Sequence, residues 1–150
     1  MNGVVVYASV HHGNTKKVAE AVAVANDMEL IDITKAESID LSAYEVVGLA
    51  SGVYYHSLHE KIKALVETTS FAPEQKVFTI TTCGIGYRNY ASGVAKTLKE
   101  RGVRYLGNYQ CRGYDTFGPF GKIGGIAKGR PNATDLEKAV AFSSGLLNGK

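Results

Sequence analysis

The sequence predicts a single doubly wound α/β domain over residues 1–150, a three-layer sandwich in which helices cover both faces of a five-stranded parallel sheet. Short runs rich in β-branched residues alternate with longer helical patterns, which is typical of βαβ units. The runs VVVYA, VVGLA and VFTIT are almost continuously apolar, as expected for strands that are buried on both faces. The chain has 150 residues, of which 45% are hydrophobic, so it can bury one core of ordinary size.

The five predicted strands are the short apolar runs between the helical patterns. They cover residues 3–9, 29–33, 45–51, 76–82 and 103–112. The first, third and fourth strands are the most apolar. We therefore predict that these three lie in the centre of the sheet.

The first predicted helix covers residues 14–25 and has an apolar face with spacings of three and four residues. The pattern Ser57-Leu58-His59-Glu60 resembles a capping box and predicts the start of another helix. A further helix over residues 90–101 is expected to end at Gly102, because glycine readily adopts the left-handed conformation after a helix. Residues 40–44 form at most a short helical turn.

The last predicted helix begins at a second capping-box pattern, Thr134-Asp135-Leu136-Glu137, and extends to about Leu147. The segment before it, residues 113–129, combines many glycines with interleaved aromatic and aliphatic side chains. A flexible linker would lack those apolar side chains, so we interpret this segment as a structured loop after the fifth strand.

Composition and charge exclude several classes of protein. The net charge of +3 arises from 17 basic and 14 acidic residues without a run of like charge, which predicts no binding to nucleic acid. No apolar stretch approaches the roughly 20 residues of a membrane-spanning helix. The first strand follows Met1 almost directly, without an export signal, so a cytoplasmic location is expected. The two cysteines do not form a CxxC pair, so neither a disulfide framework nor a zinc site is predicted.

Ligands of open parallel sheets bind beyond the carboxyl ends of the strands. Four loops are expected at that edge, residues 9–15, 52–57, 82–89 and 113–130. The first loop, SVHHGNT, has the features of a phosphate site, because it precedes a helix and contains Gly13 and short polar side chains. It lacks the lysine of a nucleoside-triphosphate loop and the GxGxxG of a dinucleotide fold, which favours a phosphate monoester. The alternative is an ordinary turn with a polar cap.

Three segments of the chain resemble flavodoxins. They are VVVYASVHHGNTKKVAEAVA, DLSAYEVVGLASGVYY and VFTITTCGIG, and the resemblance extends over the whole chain. It implies the strand order 2-1-3-4-5 and noncovalently bound FMN. Within the first loop it assigns the cofactor-binding residues Ser9, His11, His12, Gly13, Asn14 and Thr15.

The resemblance also assigns the flavin ring to the second and third loops. Tyr54 and Tyr55 are candidates to stack on the ring, with Tyr87 and Tyr90 as further candidates. The peptides around Gly52 are implied to offer a carbonyl oxygen to flavin N5–H after reduction. The residues assigned to these two loops are Ser51, Gly52, Val53, Tyr54, Tyr55, Thr82, Cys83, Gly84, Gly86 and Tyr87.

The function implied by the resemblance is one-electron transfer between redox partners, with no catalytic side chain. The alternative is an NAD(P)H-dependent FMN oxidoreductase or quinone reductase of the same fold, in which residues 113–130 would shape a substrate pocket. A flavin-free regulatory domain is a third class. Basic residues near the flavin edge suggest an acidic protein partner such as a ferredoxin. They are Arg112, Lys122, Lys128 and Arg130, set against Asp115.

Two other site types fit the same loops less well. Four histidines, His11, His12, His56 and His59, could meet at this edge, but no thiolate or carboxylate completes a metal-binding pattern, and no metal is predicted. Cys83 and Arg88 resemble a phosphatase loop, but the spacing is one residue short and the loop follows the wrong strand.

Overall fold

In the computed structural model, residues 2–10, 12–86, 88–115 and 123–148 are described, and they form six strands and four helices. The strands are β1 (Gly3–Ala8), β2 (Glu29–Asp32), β3 (Val46–Tyr54), β4 (Ser57–Leu58), β5 (Lys76–Cys83) and β6 (Arg104–Arg112). The helices are α1 (Asn14–Ala25), α2 (Glu60–Thr68), α3 (Ser92–Glu100) and α4 (Ala133–Leu147).

Five of these strands form a parallel sheet in the order β2-β1-β3-β5-β6. When the short β4 is left out of the numbering, this is the expected order 2-1-3-4-5, so the predicted doubly wound fold is confirmed. The additional strand β4 pairs antiparallel with the end of β3. It therefore lengthens the sheet locally at the edge where the strands end.

The hydrophobic core lies in two layers, one on each face of the sheet. Val4 and Val6 of β1 pack in the layer that contains residues of α2 and α3. Val5 and Tyr7 point to the opposite face and pack in the layer that contains residues of α1 and α4. This alternation follows from the two-residue period of a strand, and it confirms the three-layer arrangement.

The two predicted capping boxes are wrong, although both helices form. Ser57 pairs with Tyr54 in the antiparallel ladder, so α2 begins at Glu60 and its N-cap is His59. Nδ1 of His59 accepts a hydrogen bond from the backbone N–H of Lys61 at 3.0 Å. Because the chain first has to complete the hairpin, the helix starts later than the sequence pattern suggests.

Helix α4 starts at a capping box two residues before the predicted one. The side chain of Asn132 accepts from the N–H of Asp135 at 2.9 Å, and Asp135 accepts from the N–H of Asn132 at 2.8 Å. Asparagine is a stronger N-cap than threonine, which explains why the box does not begin at Thr134.

Smaller differences occur at two other predicted elements. Helix α3 begins at Ser92, two residues after the predicted start, and Gly102 follows it with the expected positive φ of 76°. Residues 40–44 contain a single turn, in which the N–H of Tyr44 donates to the carbonyl of Leu41. Among the helices formed by the described residues, none is both long and apolar enough to cross a membrane.

Candidate functional site

A cleft of about 210 Å³ opens at the edge where the central strands end. All four loops that the sequence places at this edge contribute to its walls. The lining residues are Ser9, Asn14, Thr15, Gly52, Val53, Tyr54, Tyr55, Thr82, Cys83, Gly84, Gly113, Tyr114 and Asp115.

The start of α1 forms one end of the cleft. Gly13 is the N-cap with a φ of 65°, and it provides no side-chain acceptor for the first-turn N–H groups. No acidic residue lies in that first turn, so the partial positive charge of the helix end is not compensated there. Ser9 Oγ supports the loop by accepting from the N–H of Lys16 at 3.3 Å.

Asn14 is buried at the junction of the first and fourth loops, with 9% of its surface exposed. Its Nδ2 donates to the carbonyl of Tyr114 at 2.8 Å. Its Oδ1 is buried and has no hydrogen-bond partner among the residues that the structure describes. A buried acceptor without a partner is costly, so a ligand hydroxyl or N–H that reaches Asn14 would gain a hydrogen bond there.

Thr15 and Thr82 connect α1 to the end of β5. Their hydroxyl oxygens lie 2.8 Å apart in a buried hydrogen bond, and both residues line the cleft. Each hydroxyl can both donate and accept, so this pair retains one free O–H donor and acceptor lone pairs for further polar contacts.

The two tyrosines of the second loop have different environments. Tyr54 Oη accepts from the N–H of Val10 at 3.3 Å, and its ring meets His59 edge-on at a centroid distance of 5.2 Å. Burial raises the pKa of Tyr54. Tyr55, in contrast, is 85% exposed at the rim of the cleft. Tyr54 therefore belongs to the wall, whereas Tyr55 offers an aromatic face to a ligand.

Gly52 lies in β3 beside a fully buried Ser51. Ser51 Oγ donates to the carbonyl of Gly52 at 2.7 Å and accepts from the N–H of His59 at 2.9 Å. Ser51 thus lies behind the cleft wall, and it fixes the direction of the Gly52 carbonyl.

Two glycines make room for neighbouring side chains at the other wall. A Cβ on Gly113 would lie 2.6 Å from Nδ2 of Asn14, and a Cβ on Gly84 would collide with the carboxylate of Asp115. The carbonyl of Gly84 also accepts from Nε of Arg112 at 2.9 Å. Both positions therefore require glycine for steric reasons.

The thiols of this region are protonated at neutral pH. Burial raises the pKa of Cys83 to about 11 and that of Cys111 to about 12. Cys83 Sγ donates to the carbonyl of Cys111 at 3.5 Å, and the two side chains pack in opposite core layers. A nucleophilic thiolate, as a phosphatase reaction would need, is disfavoured here.

The remaining residues assigned from the sequence lie around the cleft. His12 has a positive φ of 57°, and its ring packs against Tyr114 at a centroid distance of 4.4 Å. Gly86 lines a neighbouring groove. His11 and Tyr87 lie outside the described residues. Within the described ranges, no group of three or more His, Cys, Asp or Glu side chains is arranged to hold a metal ion.

Three lining residues, Gly113, Tyr114 and Asp115, were expected only as part of a loop and were not assigned to the site. The available signal was their position directly after the last strand, at the ligand-binding edge. The contact between Asn14 and Tyr114 joins positions 100 residues apart, so it has no local signature.

The basic residues at the end of β6 and in the fourth loop differ in their surroundings. Arg130 forms a two-pronged ion pair with Asp135, with N–O distances of 2.5 and 2.7 Å. This contact lowers the pKa of the Asp135 carboxyl group and neutralises the charge of Arg130 locally. Arg112 and Lys128 are exposed, and Lys122 lies outside the described residues.

Comparison with known proteins places this geometry in a family. The chain is 30% identical over 149 residues to an uncharacterized protein of Methanocaldococcus jannaschii, with 98% of this chain and 99% of the relative covered. It matches the fold of a Streptococcus pneumoniae flavodoxin at a TM-score of 0.71 and 13% identity, with 100% of both chains covered. A short-chain flavodoxin associated with a bacterial microcompartment matches at a TM-score of 0.72 and 15% identity, with 99% and 97% covered.

The fold supports flavin binding and a redox function, and the cleft lies at the strand ends where such folds bind ligands. The family itself is shown by a sequence model described as a flavodoxin domain, which matches residues 4–113. The chain therefore belongs to the flavodoxin domain family.

Proposed function

We propose that this protein binds one FMN noncovalently in the cleft and carries single electrons between redox proteins. The observation that supports this most strongly is the combination of groups around one cleft. These groups are a helix start whose N-cap is glycine, a buried amide oxygen without a partner among the described residues and an exposed aromatic ring. They correspond to the phosphate, the polyol chain and the planar ring of FMN.

The phosphate end of FMN would lie at the start of α1. Backbone N–H groups and the helix dipole favour an anion there, and Ser9 and Thr15 add hydroxyl groups. The side chain of Asn14 would accept a hydrogen bond from a ligand hydroxyl, which satisfies the buried Oδ1. The residues present therefore fit a phosphorylated ligand that also carries hydroxyl groups.

The ring end would lie between the second and third loops. Tyr55 would stack on one ring face, since tyrosine offers a flat apolar surface with a polar edge in contact with water. Gly84 lines this part of the cleft, and Ser51 holds the carbonyl of Gly52 through its own hydroxyl.

The bound flavin would supply the redox chemistry, and the protein would supply binding, orientation and access. The thiol of Cys83 remains protonated and the hydroxyl of Tyr54 is engaged with Val10, so neither is poised for proton transfer at neutral pH. These features support a carrier whose side chains hold the cofactor without reacting with the substrate.

The test compares FMN with riboflavin, which lacks the phosphate. We expect Thr15→Val to weaken FMN binding roughly tenfold, equivalent to about 1.4 kcal/mol, because a phosphate contact and its supporting hydroxyl are lost. Riboflavin affinity should change less than about twofold, and Thr15→Ser, which keeps the hydroxyl, is the matched control. Affinities follow from flavin fluorescence quenching. Equal losses for both flavins would refute the assignment of the phosphate site.

The carrier role is tested by anaerobic reduction followed by visible absorbance. We expect stoichiometric FMN to be reduced by dithionite and by a reduced redox protein, and only slowly by NADPH alone. Rapid reduction by NADPH without a second protein would instead support the oxidoreductase alternative. Purified protein that binds neither FMN nor riboflavin would refute the proposal as a whole.

A further inference from the structure

We propose that the surface around the cleft docks an acidic one-electron carrier protein, and that a basic groove beside the cleft attracts it. This inference rests on the proposed function and deepens it by specifying the partner. The basic groove is defined here by Ile85, Gly86, Arg112 and Lys138, together with the ion pair of Arg130 and Asp135.

Exposed apolar side chains surround the cleft. Val10 is 54% exposed, Tyr55 85% and Ile85 45%. They belong to three different loops at the same edge of the sheet. Tyr55 lines the cleft itself, and Val10 and Ile85 are each next in sequence to a residue that lines it. Exposed apolar side chains that cluster around one site are typical of protein interaction surfaces.

The basic groove adjoins the cleft, because Cys83 lines both. Its volume is about 580 Å³, and it runs along the end of β6 to the first turns of α4. Three cations and one carboxylate line it. Because Arg130 and Asp135 neutralise each other, the net positive charge comes from Arg112 and Lys138.

A further cation extends this charge. Arg88 is exposed and lines a shallow depression that shares Gly86 and Gln110 with the basic groove. The positive charge therefore lies along one side of the cleft. Such a distribution attracts a negatively charged surface over a distance and orients it toward the cleft.

The hydrogen bonds that the arginines already make favour a protein over a small anion as the ligand of the groove. Arg112 donates through Nε to the carbonyl of Gly84, and Arg130 is held by Asp135. Tight binding of a small phosphate or carboxylate needs several donors that converge on it. Here the side chains give charge without such convergence, which suits a broad acidic surface.

The transfer itself is a one-electron exchange. The reduced partner loses one electron to the oxidised flavin, so the partner is oxidised by one electron and the flavin is reduced by one. No bond between the two proteins forms or breaks. The groove affects this exchange through the rate of association and the orientation of the complex.

The test uses charge reversal at Lys138 in the groove and at Arg88 beside it, with a matched control on another face. The test variant is Arg88→Glu with Lys138→Glu. The control variant is Lys99→Glu with Arg104→Glu, which gives the same change in net charge. Lys99 lies over the ring of Tyr105, the neighbour of Arg104, and Arg104 and Arg112 are the two ends of β6, about 27 Å apart along the strand. FMN content and reduction by dithionite are measured first in all three proteins.

The probe is a purified acidic ferredoxin. With both proteins oxidised, calorimetric titration at low salt is expected to show at least tenfold weaker binding for the groove variant and less than twofold change for the control. Stopped-flow electron transfer from the reduced ferredoxin is expected to slow about tenfold in the groove variant and to lose most of its salt dependence.

Three results would overturn the docking inference while the proposed function stands. One is a groove variant that binds FMN and accepts electrons from the ferredoxin with unchanged affinity, rate and salt slope. Another is an equal loss in the control variant, which would show an effect of net charge alone. The third is a large rise in the KM for NADPH in the groove variant together with unchanged ferredoxin binding, which would assign the groove to a dinucleotide. Wild-type protein without bound flavin would instead refute the proposed function.

Discussion

Tyr54 and Tyr55 are adjacent in sequence, but the hairpin between β3 and β4 gives them different positions. Tyr54 is the last residue of β3 and packs inward against His59, with its hydroxyl held by Val10. Tyr55 and His56 form the two-residue turn, and both have positive φ values, 51° and 65°. Two non-glycine residues in this conformation are strained, and the turn holds Tyr55 at the rim of the cleft.

Replacing Tyr55 by alanine is expected to weaken the binding of FMN and of riboflavin alike, by roughly tenfold, because both ligands share the ring on which Tyr55 would stack. The free energy of unfolding without flavin should change by less than about 0.5 kcal/mol, since the side chain is exposed. Tyr54→Phe is the matched control, because it keeps the ring and removes only the hydroxyl contact. Fluorescence titrations measure the affinities. Unchanged flavin affinity in Tyr55→Ala would exclude stacking by this residue.

At the scale of elements, helix α2 is linked to the cleft by its cap. His59 caps the helix through Nδ1 of its side chain. Its backbone N–H donates to Oγ of Ser51, and its ring packs against Tyr54. Burial lowers the pKa of His59, so the folded protein favours the neutral form that can accept the hydrogen bond from Lys61. Protonation of His59 would remove this acceptor and loosen the start of α2.

This cap predicts a pH dependence with a defined sign. Because the folded pKa of His59 is lowered, its contribution to stability is complete above the unfolded value of about 6.5 and is lost as pH falls through the folded pKa. Between pH 7 and pH 5 we expect the free energy of unfolding of the wild type to fall by up to about 1 kcal/mol more than that of His59→Asn. Asparagine caps helices without titrating. Urea unfolding at both pH values measures the difference, and parallel curves would contradict the prediction.

The regular elements could be predicted from the sequence, but their ends could not. The apolar runs and the helical faces are local patterns, and all five predicted strands and the four longer helices form close to the predicted residues. Ser57 shows why a local pattern fails at a boundary. Its spacing to Glu60 fits a cap, yet its backbone pairs with Tyr54 in a hairpin whose turn lacks the usual Asn-Gly signal.

The cleft could be predicted in part for a similar reason. Ser9, Thr15 and Thr82 follow strand ends, so the parallel sheet alone brings them to one edge. The part of the cleft that the fourth loop forms depends on a contact between distant parts of the chain, in which Nδ2 of Asn14 donates to the carbonyl of Tyr114. The steric need for glycine at position 113 follows from that contact and is therefore visible only in the folded molecule.

For the whole molecule, the sheet separates a binding edge from a structural edge. The loops at the ends of β1, β3, β5 and β6 form the cleft, whereas the turns at the opposite edge close on backbone hydrogen bonds. There the backbone N–H of Met28 donates to the carbonyl of Ala23 at 2.8 Å, and the backbone N–H of Val103 donates to the carbonyl of Leu98 at 2.9 Å. A ligand in the cleft therefore contacts loops from both ends of the sequence and none of these opposite turns.

If FMN binds in the cleft as proposed, this division predicts how it would change hydrogen exchange. At about 100 times its dissociation constant, FMN would stabilise the folded state by about 2.7 kcal/mol, so amides that exchange through global unfolding should slow about 100-fold throughout the molecule. Amides that exchange through local opening should slow only around the cleft, in residues 12–15, 52–56, 82–84 and 113–115. Residues 113–115 should respond together with α1, because Asn14 joins the two segments.

Exchange followed by mass spectrometry or NMR, with and without FMN, provides this map, and riboflavin is the informative comparison. Without the phosphate, protection should remain at residues 52–56 and 82–84 and weaken at residues 12–15, because among these segments residues 12–15 contain the helix start that favours an anion. Because Asn14 holds Tyr114, residues 113–115 should then lose protection in step with residues 12–15. Protection by FMN that is confined to the basic groove, or that falls on the turns around Met28 and Val103, would show that the ligand binds elsewhere on the fold.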